Sequence, residues 1–340
     1  MEIDICNQKR YHEKILYSIF FAFSFAVYSA AAPQAVIFDT DMGNDIDDAL
    51  AQAMLLNYEK SGKVKIRAIV VNKDNPYSPL FVKAINDYYS RSDIPVGFIR
   101  NGATKKEGPF IGKVCRDMGL KPEEFPDSVK LLRKILSESD DGEIVYISVG
   151  FSTNIERLLK SEGDSFSPLS GRELFRKKVK YLSVMAGDFE HIKKNSANPH
   201  CEYNITCDIP AAKYVFENPP VPVVFSGFEI GRDIRFPSEA LYRNLSKENP
   251  IVAAYQLHSL SVTGGKSKNN NRESWDLTSV LYVVSPGSFG ISERGNVEVT
   301  PKGSTLFKSD KSGMCQFLTA DSNQGKEILQ RLIEGVSGSK

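Results

Sequence analysis

The sequence predicts an α/β fold: an open, mostly parallel β-sheet with helices on both faces. Two observations predict it. Past residue 33, short β-rich runs alternate with helical patterns. Those runs are apolar on both faces, which suits strands covered by helices above and below rather than half-exposed antiparallel strands. No repeat and no Pro/Ser-rich linker breaks the alternation, so residues 33–338 read as one domain.

The elements are expected in the following order. Residues 35–38 (AVIF) form a short apolar strand, and an aspartate-rich turn leads into a helix over 47–59. A strand over 64–71 (VKIRAIVV) precedes a helix over 77–91. Residues 94–98 (IPVGF) make the third strand, with a helix at 128–137 further on. The fourth strand, 143–149 (EIVYISV), leads to a helix over 154–160. The fifth, 179–185 (VKYLSVM), is followed by a helix over 209–217 and a strand over 222–226 (PVVFS). Polar stretches at 161–171 and 264–272 read as mobile loops.

Composition narrows the function. With 340 residues, a formal net charge of +1 and 41% hydrophobic residues, the chain is ordinary globular material. No basic excess argues for a nucleic-acid partner, and no acidic block argues for disorder. Lys9, Arg10 and Lys14 precede an apolar run over 15–30 and then Ala31, Ala32 and Pro33. That pattern reads as a secretory signal peptide, residues 1–31, removed near Ala30 or Ala31, which would make the mature chain secreted or extracytoplasmic. The alternative, a membrane anchor, needs a longer apolar run. Cys6 would leave with the signal, and Cys115, Cys201, Cys207 and Cys315 are too widely spaced for a disulfide framework. One bridge remains open, and a homo-oligomer is compatible with the sequence.

In open parallel sheets ligands bind beyond the carboxyl ends of the strands. The first strand is followed by DTDMGNDIDD, the second by Asn72-Lys73-Asp74-Asn75, the fourth by Gly150-Phe151-Ser152-Thr153-Asn154 and the fifth by Ala186-Gly187-Asp188. Residues 39–48 hold five aspartates: Asp39, Asp41, Asp45, Asp47 and Asp48. Such a cluster requires a cation or rearranged pKa values, and a hard divalent cation with oxygen ligands suits it best. An EF-hand loop fails, because the sixth and twelfth positions from Asp39 are Asn44 and Leu50, and from Asp41 they are Ile46 and Gln52.

Two families begin with a comparable segment. A Mg²⁺-dependent haloacid-dehalogenase-type phosphatase also starts with an apolar strand ending in DxD, which would make Asp39 a nucleophile. Such enzymes usually continue with Gly-Thr or Gly-Val, where this chain has Met42-Gly43. The segment resembles more closely the nucleoside hydrolase signature DTDxG…DDALA, matched by Asp39–Gly43 and Asp47–Ala51 with a spacer two residues longer. Gly150–Ile155 resembles the family's G-P-L-T-N-I turn. Glu202-Tyr203-Asn204-Ile205 with Asp208, Ala211 and Ala212 resembles its E-F-N-I segment, and Ser274-Trp275-Asp276 its late motif. The four matches fall in family order over residues 35 to 285.

The resemblance implies Ca²⁺-dependent hydrolysis of the N-glycosidic bond of ribonucleosides, releasing base and ribose. It implies one Ca²⁺ held by Asp41, Asp48, Asp276 and the backbone carbonyl of Thr153, with Asp41 taking a proton from a metal-bound water. By the same analogy Asp47, Asn72, Glu202 and Asn204 hold the ribose hydroxyls, and Trp275 stacks on the base, which points toward purines. Each has a plainer alternative. Asp47 fits a helix N-cap, Asn72 fits turn chemistry, and Trp275 fits a helix core. Glu202 and Asn204 would share one face of an extended segment. Asn195 and Asn198 both stand where the family places a further asparagine, and Tyr77 and Phe228 are both candidates for a second stacking ring. His191, His200 and His258 show no metal spacing, and Asp45 has no family role. A catalytically inactive Ca²⁺-dependent nucleoside- or sugar-binding protein is the alternative within the same fold.

Overall fold

A computed structural model describes residues 32–190, 192 and 200–338. The signal segment, His191, Asn195 and Asn198 lie outside the described residues. No helix among the described residues is long and apolar enough to cross a membrane.

The strands are β1 (Gln34–Thr40), β2 (Val64–Val71), β3 (Val96–Phe98), β4 (Ile144–Ser148), β5 (Val179–Met185) and β6 (Val223–Ser226). They continue with β7 (Arg235–Phe236), β8 (Arg272–Glu273), β9 (Gly290–Ile291), β10 (Gly295–Val299), β11 (Thr305–Ser309) and β12 (Cys315–Thr319). The helices are α1 (Asp47–Lys60), α2 (Tyr77–Tyr88), α3 (Ile111–Asp117), α4 (Ser128–Ser137), α5 (Thr153–Lys160), α6 (Gly171–Lys178), α7 (Tyr203–Cys207) and α8 (Ile209–Phe216). After them come α9 (Phe228–Asp233), α10 (Ser238–Asn244), α11 (Pro250–Val262), α12 (Trp275–Val284) and α13 (Ser322–Ser337).

One sheet runs β11-β10-β12-β6-β5-β4-β1-β2-β3, with β9 paired to β12, while β7 and β8 form a separate ribbon. From β12 through β6, β5, β4, β1 and β2 to β3 the pairing is parallel, and β9, β10 and β11 add an antiparallel edge. Successive residues of a strand point to opposite faces. Accordingly Val36 and Phe38 of β1 enter a core with α1, α12 and α13, whereas Ala35 and Ile37 enter another with α4, α5 and α8. Both faces are thus covered, as the apolar strand runs require. β1 lies between β4 and β2 and the strand order reverses beside it, so a crevice opens where β1 and β4 end.

The expected strands and helices up to residue 226 are present with small boundary shifts. The helix expected over 77–91 stops at Tyr88, because Ser90 turns the chain with φ 59° and a helix cannot continue through it. The 161–171 loop is fastened rather than loose: the buried Arg133 donates to Ser161 Oγ and to the Ser167 and Leu169 carbonyls. The four described cysteines are free thiols.

Candidate active site

The five aspartates leave β1 and enter α1 in one tight turn. Gly43 makes that turn with φ 104°, a conformation L side chains rarely adopt, and an added Cβ would strike Ile111. Asp39 does not reach the crevice. It is fully buried, and its carboxylate accepts from Asn72 Nδ2 (2.9 Å), Asn154 Nδ2 (2.9 Å) and the Tyr146 hydroxyl (2.8 Å). Burial raises its pKa to about 7, against those three donors. Asp39 therefore knits β1, β2, β4 and α5 together, and its enclosure argues against the phosphatase alternative, in which it would be an accessible nucleophile.

The other four aspartates line a cavity of about 770 Å³ together with Glu202, Asn204, Trp275 and Asp276. Carboxylate oxygens of Asp47, Asp48 and Asp276 all lie within 4.8 Å of one another. The pKa of each is pushed well above the carboxylate range, first by burial and then by its neighbours' charge. Asp47 is the first residue of α1 and Ile46 is the cap, so the N-cap alternative does not hold; Asp47 Oδ2 instead accepts from the Asp276 backbone N–H at 3.2 Å. Asp48 accepts from the Thr40 hydroxyl. Asp41 stands outside this tight trio. It accepts from Asn44 Nδ2, and burial raises its pKa to about 6.

Asp45, in the longer spacer, is engaged by a residue far away in sequence. Arg272 Nε donates to it at 2.8 and 3.1 Å, Arg272 Nη2 donates as well, and His258 Nε2 lies 3.3 Å from Oδ1. Burial alone would raise the Asp45 pKa, but Arg272 outweighs it and holds the carboxyl below its ordinary value. The same guanidinium lies 5.3 Å from the Trp275 ring and donates to Glu273.

Glu202 is not on an extended segment as expected. It caps α7, accepting from the backbone N–H groups of Asn204 (2.7 Å), Ile205 (3.1 Å) and Gly187 (3.2 Å). Burial still lifts its pKa to about 7. Asn204 holds the ends of β4 and β5 by donating to the Val149 and Met185 carbonyls, each at 3.1 Å. The run Asn204-Ile205-Thr206 has the form of a glycosylation sequon but its Asn204 is buried, whereas Asn244, which opens the second such run Asn244-Leu245-Ser246, is exposed. Two expected site residues are not among those lining the cavity. Asn72 is turned to Asp39 and to the Phe151 N–H, which together engage its amide. Thr153 opens α5 with its hydroxyl turned to Asp208.

Trp275 forms one wall. Its indole N–H donates to the Phe228 carbonyl at 2.9 Å, and the two rings stack at 5.4 Å and 23°. The His200 ring centroid stands 4.3 Å from that of Phe228. Gly231 permits this contact, since a Cβ there would fall 2.3 Å from the Trp275 Cα. Of the two candidate rings, Phe228 lines the cavity and Tyr77 does not; Tyr77 is covered by Arg116.

The family model that matches residues 36–333 is described as inosine-uridine preferring nucleoside hydrolase. The chain belongs to the nucleoside hydrolase family. It is a nucleosidase, a hydrolase acting on N-glycosyl bonds. Its fold is shared with solved nucleoside hydrolases. A plant nucleoside hydrolase is 21% identical with a TM-score of 0.69, over 90% of this chain and 99% of that one. A purine-preferring ribonucleoside hydrolase from Gardnerella vaginalis is 17% identical with a TM-score of 0.67, over 89% and 98%. An inosine-guanosine nucleoside hydrolase is 20% identical with a TM-score of 0.66, over 89% and 98%. A comparison with curated proteins finds no match. Family members are metal-dependent in general, and the Asp47, Asp48 and Asp276 cluster of this nucleoside hydrolase is an all-oxygen set suited to a hard cation. Arg272, Asn44, His200 and Lys73 were not singled out from the sequence as site residues. Only Asn44 carried a sequence signal, by lying in the longer spacer.

Proposed function

We propose that this nucleoside hydrolase is Ca²⁺-dependent, that Asp41 is its general base, and that it prefers purine nucleosides. The observation that carries the reading is the trio of buried carboxylates within 4.8 Å, on the wall of a cavity that Asp41 also lines. Three mutually repelling carboxylates with raised pKa values fit a divalent cation, because its charge removes the repulsion that burial amplifies. Asp48 and Asp276 would hold the ion, with Asp47, Asp41 and, by resemblance, the Thr153 carbonyl. Bound there, Ca²⁺ supplies Lewis-acid polarisation of the oxygens it contacts.

The remaining chemistry belongs to the chain. With Oδ2 engaged by Asn44, Asp41 takes a proton through its other oxygen from the water attacking the anomeric carbon. The carboxylate-rich wall stabilises the oxocarbenium charge that develops on the sugar. Asp47, Glu202 and Asn204, with Asn72 behind them, orient the ribose hydroxyls. Trp275, rigidly stacked on Phe228, offers a flat face to the base, worth about 1–3 kcal/mol per stacked base. A panel of purine and pyrimidine nucleosides with Ca²⁺ tests this by released base. Asp41→Ala and chelation with EDTA should each abolish turnover, and Ca²⁺ should restore the chelated enzyme. Turnover that survives in folded Asp41→Ala rules out its role, and calorimetric nucleoside binding without base release supports the inactive binding protein instead.

A further inference from the structure

Lys73 is a fully buried lysine beside the acidic site, and the mechanism above gives it no task. It follows Asn72 at the carboxyl end of β2. Burial drives its ammonium toward neutrality, while the charges of Asp41 and Asp48 oppose that shift. A lysine is almost never buried so completely unless the fold uses its charge. Its Nζ donates to Asn44 Oδ1 at 2.6 Å, and Asn44 Nδ2 donates to Asp41 Oδ2.

The chemistry of this chain fixes its direction. An ammonium only donates, so it must take the amide oxygen of Asn44 and leave the amide NH₂ for the carboxylate. The charge at one end polarises the amide and strengthens its bond at the other. The spacer that carries Asn44 cannot drift, because the next residue, Asp45, is gripped by Arg272. No other side chain among the described residues donates to the Asp41 carboxylate.

We propose that Lys73 is a positioning residue that acts through Asn44 to fix Asp41. The relay holds one carboxylate oxygen and leaves the other aimed at the cavity. The two extra spacer residues then have a purpose: Asn44 ties the base to Lys73, and Asp45 ties the spacer to Arg272. This rests on Asp41 being the base.

The test uses the full chain carrying Lys73→Gln, Asn44→Ala, both together, or Asp41→Ala, each checked for a native circular dichroism spectrum. Nucleoside hydrolysis is measured at saturating Ca²⁺, and Ca²⁺ binding by calorimetry. Each single variant should lose at least about tenfold in kcat while KM stays within about threefold, the pattern of a misplaced reacting group. The double variant should be no worse than the weaker single, since both break one relay. Calcium binding should persist at the concentration used. Normal kcat in both single variants with inactive Asp41→Ala overturns the relay and leaves the base standing. So do losses that multiply, losses confined to KM, or a kcat that rises back to wild type with more Ca²⁺. An active Asp41→Ala removes the base itself. If Lys73→Gln does not fold, Asn44→Ala decides alone, because Asn44 is only half-buried.

Discussion

Glu229, the second residue of α9, is buried with its carboxyl accepting from the Phe189 N–H at 3.2 Å. Burial raises its pKa from 4.5 to about 7, backbone N–H groups oppose the rise, and the neighbouring Asp188 carboxylate adds to it. The sign of the consequence follows from linkage: a carboxyl whose folded pKa exceeds its unfolded value favours the fold when protonated. That contribution is complete below about pH 4.5 and is lost as pH rises through about 7. Glu229→Gln keeps the shape and removes the titration. Its melting temperature should exceed the wild type's at pH 8 and match it near pH 5. An equal difference at both values would mean that Glu229 does not titrate in the folded chain. Asp39 and Glu229 show the same lesson at this scale. A buried carboxyl near a site need not belong to it: neither Asp39 nor Glu229 lines the acidic cavity, whereas Glu202, also held by backbone N–H groups, does.

Between elements, the contact that organises the site is Asp45 with Arg272, which joins the β1–α1 turn to β8 and, through it, to Trp275 and Asp276 at the start of α12. Breaking a partly buried, multiply bonded ion pair from one side costs about 2 kcal/mol, because the partner is left without its hydrogen bonds. Asp45→Ala should lower stability by that order in urea unfolding and raise KM, since Arg272 no longer braces Trp275. Combining it with Arg272→Met should recover part of the stability and none of the KM. Strict additivity of the two losses would show that the pair is not coupled.

This contact also marks where sequence reading stops. The DTDMG turn after β1 carries its own signal, because open parallel sheets place strand ends at the crevice, and Glu202–Asn204 and Trp275-Asp276 were legible through their resemblance to family motifs. Asp45 and Arg272 lie 227 positions apart, and nothing local announces the pairing. The elements beyond residue 226 were illegible for a related reason. Helix α12 buries Leu277, Val280 and Leu281 against α1 and β5, and its residues show little amphipathic periodicity to read. Strand β10 did carry a signal: Val297 and Val299 are buried while Asn296 and Glu298 between them are exposed. That alternation belongs to the half-exposed antiparallel edge, a different pattern from the doubly buried runs that revealed β1 to β6.

At the scale of the whole molecule, a net charge of +1 conceals a strongly asymmetric interior. The cavity wall carries the carboxyls of Asp41, Asp45, Asp47, Asp48, Glu107, Glu202 and Asp276 against the cations of Lys106 and Arg272. Arg272 is already committed to Asp45 and Glu273. One divalent cation still leaves the wall negative by formal charge. Such a field favours the cationic sugar of the transition state and opposes any substrate that brings its own anion. At an effective dielectric suited to a protein surface, one unit-charge pair at 4 Å is worth about 4 kcal/mol, and each 1.4 kcal/mol is about tenfold. Even after heavy screening, a nucleoside should be cleaved with kcat/KM at least about a hundredfold above that of its 5′-monophosphate. The ratio should shrink as salt is raised. Base release from the matched pair at low and high ionic strength measures both. Equal rates, or a faster monophosphate, would mean that Lys106 at the cavity rim recognises phosphate and that the acidic wall does not set the substrate class.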